Sequence, residues 1–262
     1  MKRTLLLMII VALTGISCEE VININLNDSS PELVAEGIIE IHSPCTVSLS
    51  YTSNYFDTLS AIPEEDAVIT ISDSEERSEV LDHLGNGIYR GNIIHGLPGH
   101  TYTLNISAGN NEYQARSLLH SYPEIINLEY EELYIPHYTE NTIYSVKCII
   151  VDDSYNENFY LFRYYRNGEM INDYFSTYSD RFLVEDTVVY TDFRLDFYKG
   201  DTVKVELFAI DEGVYNYFNL VNDVLFSSMR SSTPFNPASN FSNGLLGYFM
   251  AASSDRETII IN

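Results

Sequence analysis

Strict alternation of apolar and polar residues recurs along the chain and confines it to β-structure. Val47, Leu49 and Tyr51 are interleaved with Thr46, Ser48 and Ser50. Tyr102, Leu104, Ile106 and Ala108 are interleaved with Thr101, Thr103, Asn105 and Ser107, and Val203, Val205, Leu207 and Ala209 mark a third such run. Successive strand side chains point to opposite faces, so a period of two means one buried and one wet face. Turn chemistry separates the runs. Asn86-Gly87 suits a tight hairpin with positive φ at both central positions. Pro98-Gly99 suits a type II turn, proline fixing φ and glycine accepting the positive value. Seven or so short strands over residues 32–121 predict an immunoglobulin-like or transthyretin-like sandwich.

Pro123 sits between strand-like runs and sets a boundary near residues 121–124. Beyond it the chain changes character. All six histidines lie at or before His137, whereas 16 of the 21 tyrosines lie at or after Tyr122. Phe159, Tyr160, Leu161, Phe162, Tyr164 and Tyr165 put aromatics on both faces of one strand, which predicts a central strand or an exposed aromatic face. A helix is expected near 211–226, with Asp211 as its N-cap and Glu212 at the positive end of its dipole. Val214, Tyr217, Phe218, Val221, Val224 and Leu225 share one face of it. Pro234, Pro237 and Asn243-Gly244 predict a loop before two closing strands, 245–252 and 257–261. The expected fold is therefore mostly β: a sandwich over 32–121, then a second β-rich domain over 122–262 with one packed amphipathic helix.

The N-terminus reads as a signal peptide over residues 1–17. Lys2 and Arg3 are followed by a short apolar core, Leu5 to Leu13, and Ser17 stands directly before Cys18. That core is too short to remain as a spanning helix. The spacing predicts acylation of the Cys18 thiol and a polar, acidic tether over 18–31 between the lipid and the fold. Processing would remove two of the 14 basic residues and none of the 38 acids, taking the formal charge from −24 to −26. Such a balance excludes nucleic acid as a partner, since phosphate binding needs a basic surface. Contact with the membrane is expected through the lipid and not through anionic headgroups. Cys45 and Cys148 remain for either a disulfide or two buried thiols.

No zinc-protease helix motif, Gly-x-Ser-x-Gly elbow or glycine-rich phosphate loop occurs, so no catalytic residue, metal ligand or cofactor is expected. His95 and His100 flank the Gly96-Leu97-Pro98-Gly99 turn and read as surface histidines. Asp152, Asp153, Asn156 and Asn158 cluster after a strand and read as an acidic turn, since their spacing fits no calcium-loop signature.

Several short pieces, in order, carry a family resemblance. They are Cys18-Glu19-Glu20-Val21, the run from Pro31 to Gly37, Gly96-Leu97-Pro98-Gly99 with Tyr102, and Asp211 with Tyr215, Tyr217 and Phe218. Pro234, Asn236-Pro237, Ser239-Asn240, Asn243-Gly244 and Leu246-Gly247-Tyr248-Phe249 complete the series. This resembles an uncharacterised Bacteroidetes lipoprotein family, domain of unknown function 4249. The resemblance implies a lipid-anchored outer-membrane protein, often encoded near TonB-dependent transporters, and it carries no known activity. Within it, Asp57-Thr58-Leu59, Asp186-Thr187-Val188 and Asp201-Thr202-Val203 match a pattern of threonine O-glycosylation. The leading expectation is a binding or accessory module for such a transporter, with a glycan or peptide ligand. A structural or adhesive surface protein is the alternative, ahead of a surface hydrolase.

Overall fold

The computed structural model describes residues 31–53, 61–133, 142–152, 156–181, 186–226 and 235–262. The expected signal peptide, nearly all of the tether, Cys18 and Thr58 lie outside the described residues. The first half supplies β1 (Leu33–Glu40), β2 (Pro44–Tyr51), β3 (Ile62–Pro63), β4 (Val68–Asp73), β5 (Ser78–Val80), β6 (Asp82–Gly85), β7 (Ile88–His95), β8 (Thr101–Ala108) and β9 (Asn111–Leu118). The second half supplies β10 (Glu124–Leu133), β11 (Ile143–Val151), β12 (Phe159–Arg166), β13 (Glu169–Ser179), β14 (Thr187–Thr191), β15 (Thr202–Ile210), helix α1 (Glu212–Leu225) and β16 (Leu246–Ile260). The chain is mostly β, as the alternation predicts. The turn residues do what their chemistry predicts: φ is +54° at Asn86, +71° at Gly87 and +80° at Gly99.

The described strands pair into three sheets. Nine strands form one sheet in the order β13-β12-β15-β16-β1-β2-β7-β6, with β3 paired to β2. A four-stranded sheet runs β5-β4-β8-β9 and a three-stranded one β10-β11-β14. Neighbours are antiparallel except at the centre of the large sheet, where β1 and β16 run parallel from Val34 opposite Leu246 to Glu40 opposite Ala252. From Ser253 to Ile260, β16 pairs instead with β15. One strand, roughly 50 Å long at the usual rise per residue, thus belongs to both halves of the molecule.

Face alternation along β16 shows how the layers stack. Phe249 and Ala251 enter a first core with Ala35, Ile39, Val47, Leu49, Tyr102, Leu104 and Ile106. Ile259 and Ile261 enter a second core with Val146, Ile150, Tyr160, Phe162, Val203, Val205 and Leu207. All four β16-side residues share one parity, so both small sheets cover the same face of the large sheet. Met250 and Ala252, of opposite parity, pack under α1 with Leu161, Phe208, Ile210, Val214 and Phe218. The first sandwich is therefore not closed by residues 32–121 alone; Phe241, Leu245, Phe249 and Ala251 from the chain's last segment complete its core.

Local chemistry explains α1 and β12. Asp211 Oδ1 accepts the Val214 amide at 2.9 Å, capping the helix. Val214 and Phe218 are fully buried, each worth about 1.5–3 kcal/mol of apolar burial. Leu225 stays 48% exposed, because β13, the strand gripped by α1 through Asn222, is the edge of the sheet. β12 lies between β13 and β15, which is why it is aromatic on both faces: Tyr160, Phe162 and Tyr164 turn to the second core and Phe159 and Leu161 to the helix. Cys45 and Cys148 are free, buried thiols, one in each core. Burial drives the thiol of Cys148 up to about 12 and that of Cys45 higher still, so both stay protonated.

Candidate functional site

The two small sheets sit side by side on one face of the large sheet, and a gap remains between them. Its walls are strand ends: Leu118 of β9, the crossing segment 120–124, Val151 ending β11 and Asp152 after it, residues 156–160 entering β12, and Ala209 and Ile210 closing β15. The cleft has a volume of about 550 Å³, well within the range of ligand sites. Its floor is fixed by bonds to β16. Ser253 Oγ donates to the Ser121 carbonyl at 2.7 Å, and Asp255 Oδ2 accepts the Ile125 amide at 2.8 Å.

Asn158 organises the polar wall. Its amide donates to Asp180 Oδ1 at 2.8 Å, and its Nδ2 donates to Asp180 Oδ2 at 2.9 Å and to the Asn156 carbonyl at 3.0 Å. Tyr160 Oη donates to Asp152 Oδ1 at 2.9 Å. The cluster read from the sequence as an acidic turn is thus part of the cleft wall, with Asp153 outside the described residues. Glu157 is paired to Arg181. The rim is apolar and aromatic: Leu118, Tyr122 and Val151 are 37%, 54% and 41% exposed. Glu124, Asp152 and Glu157 line the cleft with no lysine or arginine among the described lining residues, so the cleft disfavours anions and favours cationic groups.

Behind the cleft lies a second polar group. Ser117, 2% exposed, donates its hydroxyl proton to Asp211 Oδ2 and accepts the Ala251 amide at 2.8 Å. The serine is committed on both sides and is a structural tie between β9, β16 and the helix cap, not a nucleophile. Burial raises the Asp211 carboxyl above its ordinary range against the hydrogen bonds from Ser117 and the Val214 amide. Burial likewise holds His120 below its ordinary 6.5, against the pull of the Asp211 carboxylate. A histidine kept neutral by the fold contributes stability that is present above the unfolded value and lost as pH falls through 6.5; Asp211 acts in the opposite sense, at lower pH. Stability is accordingly expected to decline on acidification below pH 6.5, and His120→Gln to flatten that part of the profile, as measured by urea unfolding across pH.

The other residues named from sequence are scattered. Thr187 and Thr202 are exposed at the starts of β14 and β15. Asp201 accepts the Tyr198 amide at 2.9 Å and Asn167 Nδ2 at 2.8 Å, so it serves the turn before β15. His95 Nδ1 lies 3.2 Å from the Ile93 carbonyl, whereas His100 sits 3.9 Å from Asp73 and 3.8 Å from Glu75. The described tyrosines of the second half do not form an aromatic surface. Of its described tyrosines, only Tyr122 and Tyr198 are exposed, and most of the others pack in the second core or under α1. The cleft residues His120, Tyr122 and Glu124 were not singled out by sequence; the Pro123 boundary was the signal pointing at them.

Comparison with known proteins adds a family and a loose structural likeness. No curated protein matches the sequence. Among solved structures, a two fibronectin type-III domain segment of chicken tenascin matches at 11% identity and TM-score 0.23, covering 70% of this chain and 92% of that one. The chicken interferon gamma receptor alpha chain matches at 9% identity and TM-score 0.27, covering 89% and 98%. The family model described as a domain of unknown function, DUF4249, matches residues 19–258. With nearly the whole sequence covered, the chain belongs to the DUF4249 family.

Proposed function

We propose that this protein is a binding module of the cell envelope, tethered by a lipid on Cys18 to the outer membrane and presenting the cleft between its two sandwiches to a ligand. The cleft carries the reading: it is walled by hydrogen-bonded amide and carboxylate groups, rimmed by Tyr122, and has no lysine or arginine among its described lining residues. A neutral or cationic ligand, a glycan or a basic peptide segment, suits that lining. A flat surface would have favoured the structural or adhesive alternative. The Cys18 spacing and the family resemblance support the lipid anchor and a TonB-dependent transporter as partner, and the exposure of Thr187 and Thr202 leaves both open to O-glycosylation.

Purification of the protein from its native outer membrane in mild detergent tests the assignment. Stoichiometric recovery of a TonB-dependent transporter, identified by mass spectrometry, supports the accessory role and names the ligand class through the transporter's cargo. Recovery of the protein alone removes the transporter from the proposal. Intact mass of the recovered chain reports directly on acylation at Cys18.

A further inference from the structure

Twice within the fold a tyrosine and a carboxylate receive one cation together. The Arg194 guanidinium lies with its central carbon 3.7 Å from the Tyr174 ring centroid and one nitrogen 2.7 Å from Asp192. The Lys204 ammonium lies 3.6 Å from the Tyr165 ring centroid and 2.7 Å from Glu206. In each case the negative face of the ring and the anion act on the same charge. A tyrosine and a carboxylate also stand in the cleft wall, Tyr122 and Glu124, where no lysine or arginine is among the described lining residues. Both are exposed, and they flank the buried Pro123. β16 holds their backbone at both ends, through the Ser121 carbonyl bonded to Ser253 and the Ile125 amide bonded to Asp255. A fixed presentation of this kind lowers the ordering that a ligand must impose.

The neighbouring groups narrow the choice of ligand. Glu157 is paired to Arg181 and Asp152 accepts the Tyr160 hydroxyl, whereas Glu124 is exposed and has no lysine or arginine paired to it among the described residues. Glu124 lies opposite Val151 in the β10–β11 pair, and Val151 and Leu118 give the cleft a partly exposed apolar border. A neutral sugar seated here would take water from the Glu124 carboxylate without supplying a charge in return. A cation supplies it, and the formal charge of −24 favours its approach at long range. Resting on the reading of the cleft as the ligand site, we propose that its ligand is a basic peptide segment of a partner protein. One arginine or lysine side chain lies on the Tyr122 ring against Glu124, and apolar neighbours in the segment cover Leu118 and Val151.

Titration of the purified protein at low salt, followed by ligand-observed NMR, tests this with three probes. They are acetyl-Gly-Val-Arg-Val-Gly-amide, the same peptide with neutral citrulline in place of arginine, and the neutral sugar maltopentaose. Saturable binding of the arginine peptide is expected, about tenfold tighter than its citrulline counterpart and weakened by added salt. Glu124→Gln and Tyr122→Ala, with folding checked by far-UV dichroism, are each expected to weaken it about fivefold. Glu169→Gln, an exposed acid at the far end of β12 from the cleft, is expected to leave it unchanged. Equal affinity for the two peptides, or equal weakening by Glu124→Gln and Glu169→Gln, overturns the proposal, since general acidity and not the Tyr122–Glu124 pair would then be the cause. Binding of maltopentaose that Tyr122→Ala abolishes, with no binding of either peptide, overturns the basic ligand but keeps the cleft as a ligand site. No saturable binding of any probe at millimolar concentrations overturns the basic ligand and removes this support from the cleft as well.

Discussion

Gly247→Ala is expected to be severely destabilising. Gly247 has φ of +98° and lies where β16 meets β1 in parallel, opposite Ala35. A Cβ built there would stand 1.9 Å from the Ala35 carbonyl oxygen and 2.8 Å from its carbonyl carbon. Both atoms are backbone in a buried central strand, so neither can move without breaking the pairing on both sides. Positive φ alone costs a non-glycine residue on the order of 1–3 kcal/mol, and the collision adds to it. A total of at least ~4 kcal/mol is reasonable for a change that breaks a central pairing, against a stability of roughly 5–15 kcal/mol for an ordinary domain. Gly99→Ala is the matched control. Its φ is +80°, but nothing lies within 4 Å of the added atom, so about 1 kcal/mol is expected. Chemical denaturation of both variants, read by tyrosine fluorescence and far-UV dichroism, checks the contrast. A folded Gly247→Ala protein with stability within 1–2 kcal/mol of the parent would contradict the register given for β1 and β16.

Glu79→Ala is expected to be nearly as damaging, for a different reason. Glu79 lies on β5, in the four-stranded sheet, and is 8% exposed. Its carboxylate reaches across to β7 in the large sheet. There Oε2 accepts the amides of Asn92 and Ile93 at 3.0 and 2.9 Å, and Oε1 accepts the amide of Ile94 at 2.9 Å. β7 is irregular at this point, since its pairing with β2 shifts between Arg90 and His95, and the carboxylate supplies the acceptors that a neighbouring strand no longer offers. Removing it strands three amides in a partly or wholly buried place, each costing about 1–3 kcal/mol. A loss of ~3–5 kcal/mol is expected once partial hydration is allowed for. Glu79→Gln keeps one acceptor oxygen and should lose about half as much. Gly91 is part of the same arrangement: a Cβ there would come within 2.5 Å of Glu79 Oε1. Equal effects of the alanine and glutamine changes would show that the side chain acts through packing and not through its oxygens.

Alternation made β2, β8 and β15 legible in the sequence, because a strand with one wet face writes its period into neighbouring residues. Asn86-Gly87, Pro98-Gly99 and the Asp211 cap were legible for the same reason: each is a local solution to a local backbone problem. What joins the halves was not. Val34 and Leu246 are adjacent in space but far apart in the chain, and no local pattern records which faces or edges will meet. Glu79 reads in sequence as one acid among 38; only the missing acceptors on β7, visible in three dimensions, give it a task. The tyrosines left a choice open for a related reason. Their abundance marks a second core built on amphipathic rings such as Tyr160, Tyr164 and Tyr190, and composition does not distinguish an aromatic interior from an aromatic surface. The cleft was least legible, since it exists between elements and belongs to none of them.

The position of β16 ties folding of the first sandwich to a strand far along the chain. Residues emerge from the ribosome in order, yet the N-terminal sandwich keeps an open edge along β1, and its core lacks Phe249 and Ala251, until β16 arrives. An unfilled edge beside an incomplete core is what proteases and aggregation act upon. The first sandwich is therefore expected to close only once β16 is in place. A product cut short before Leu246 is expected to be unstable, since it leaves β1 unpaired on one side and the first core without Phe249 and Ala251. Strand β16 thus makes the first sandwich depend on residues far along the chain.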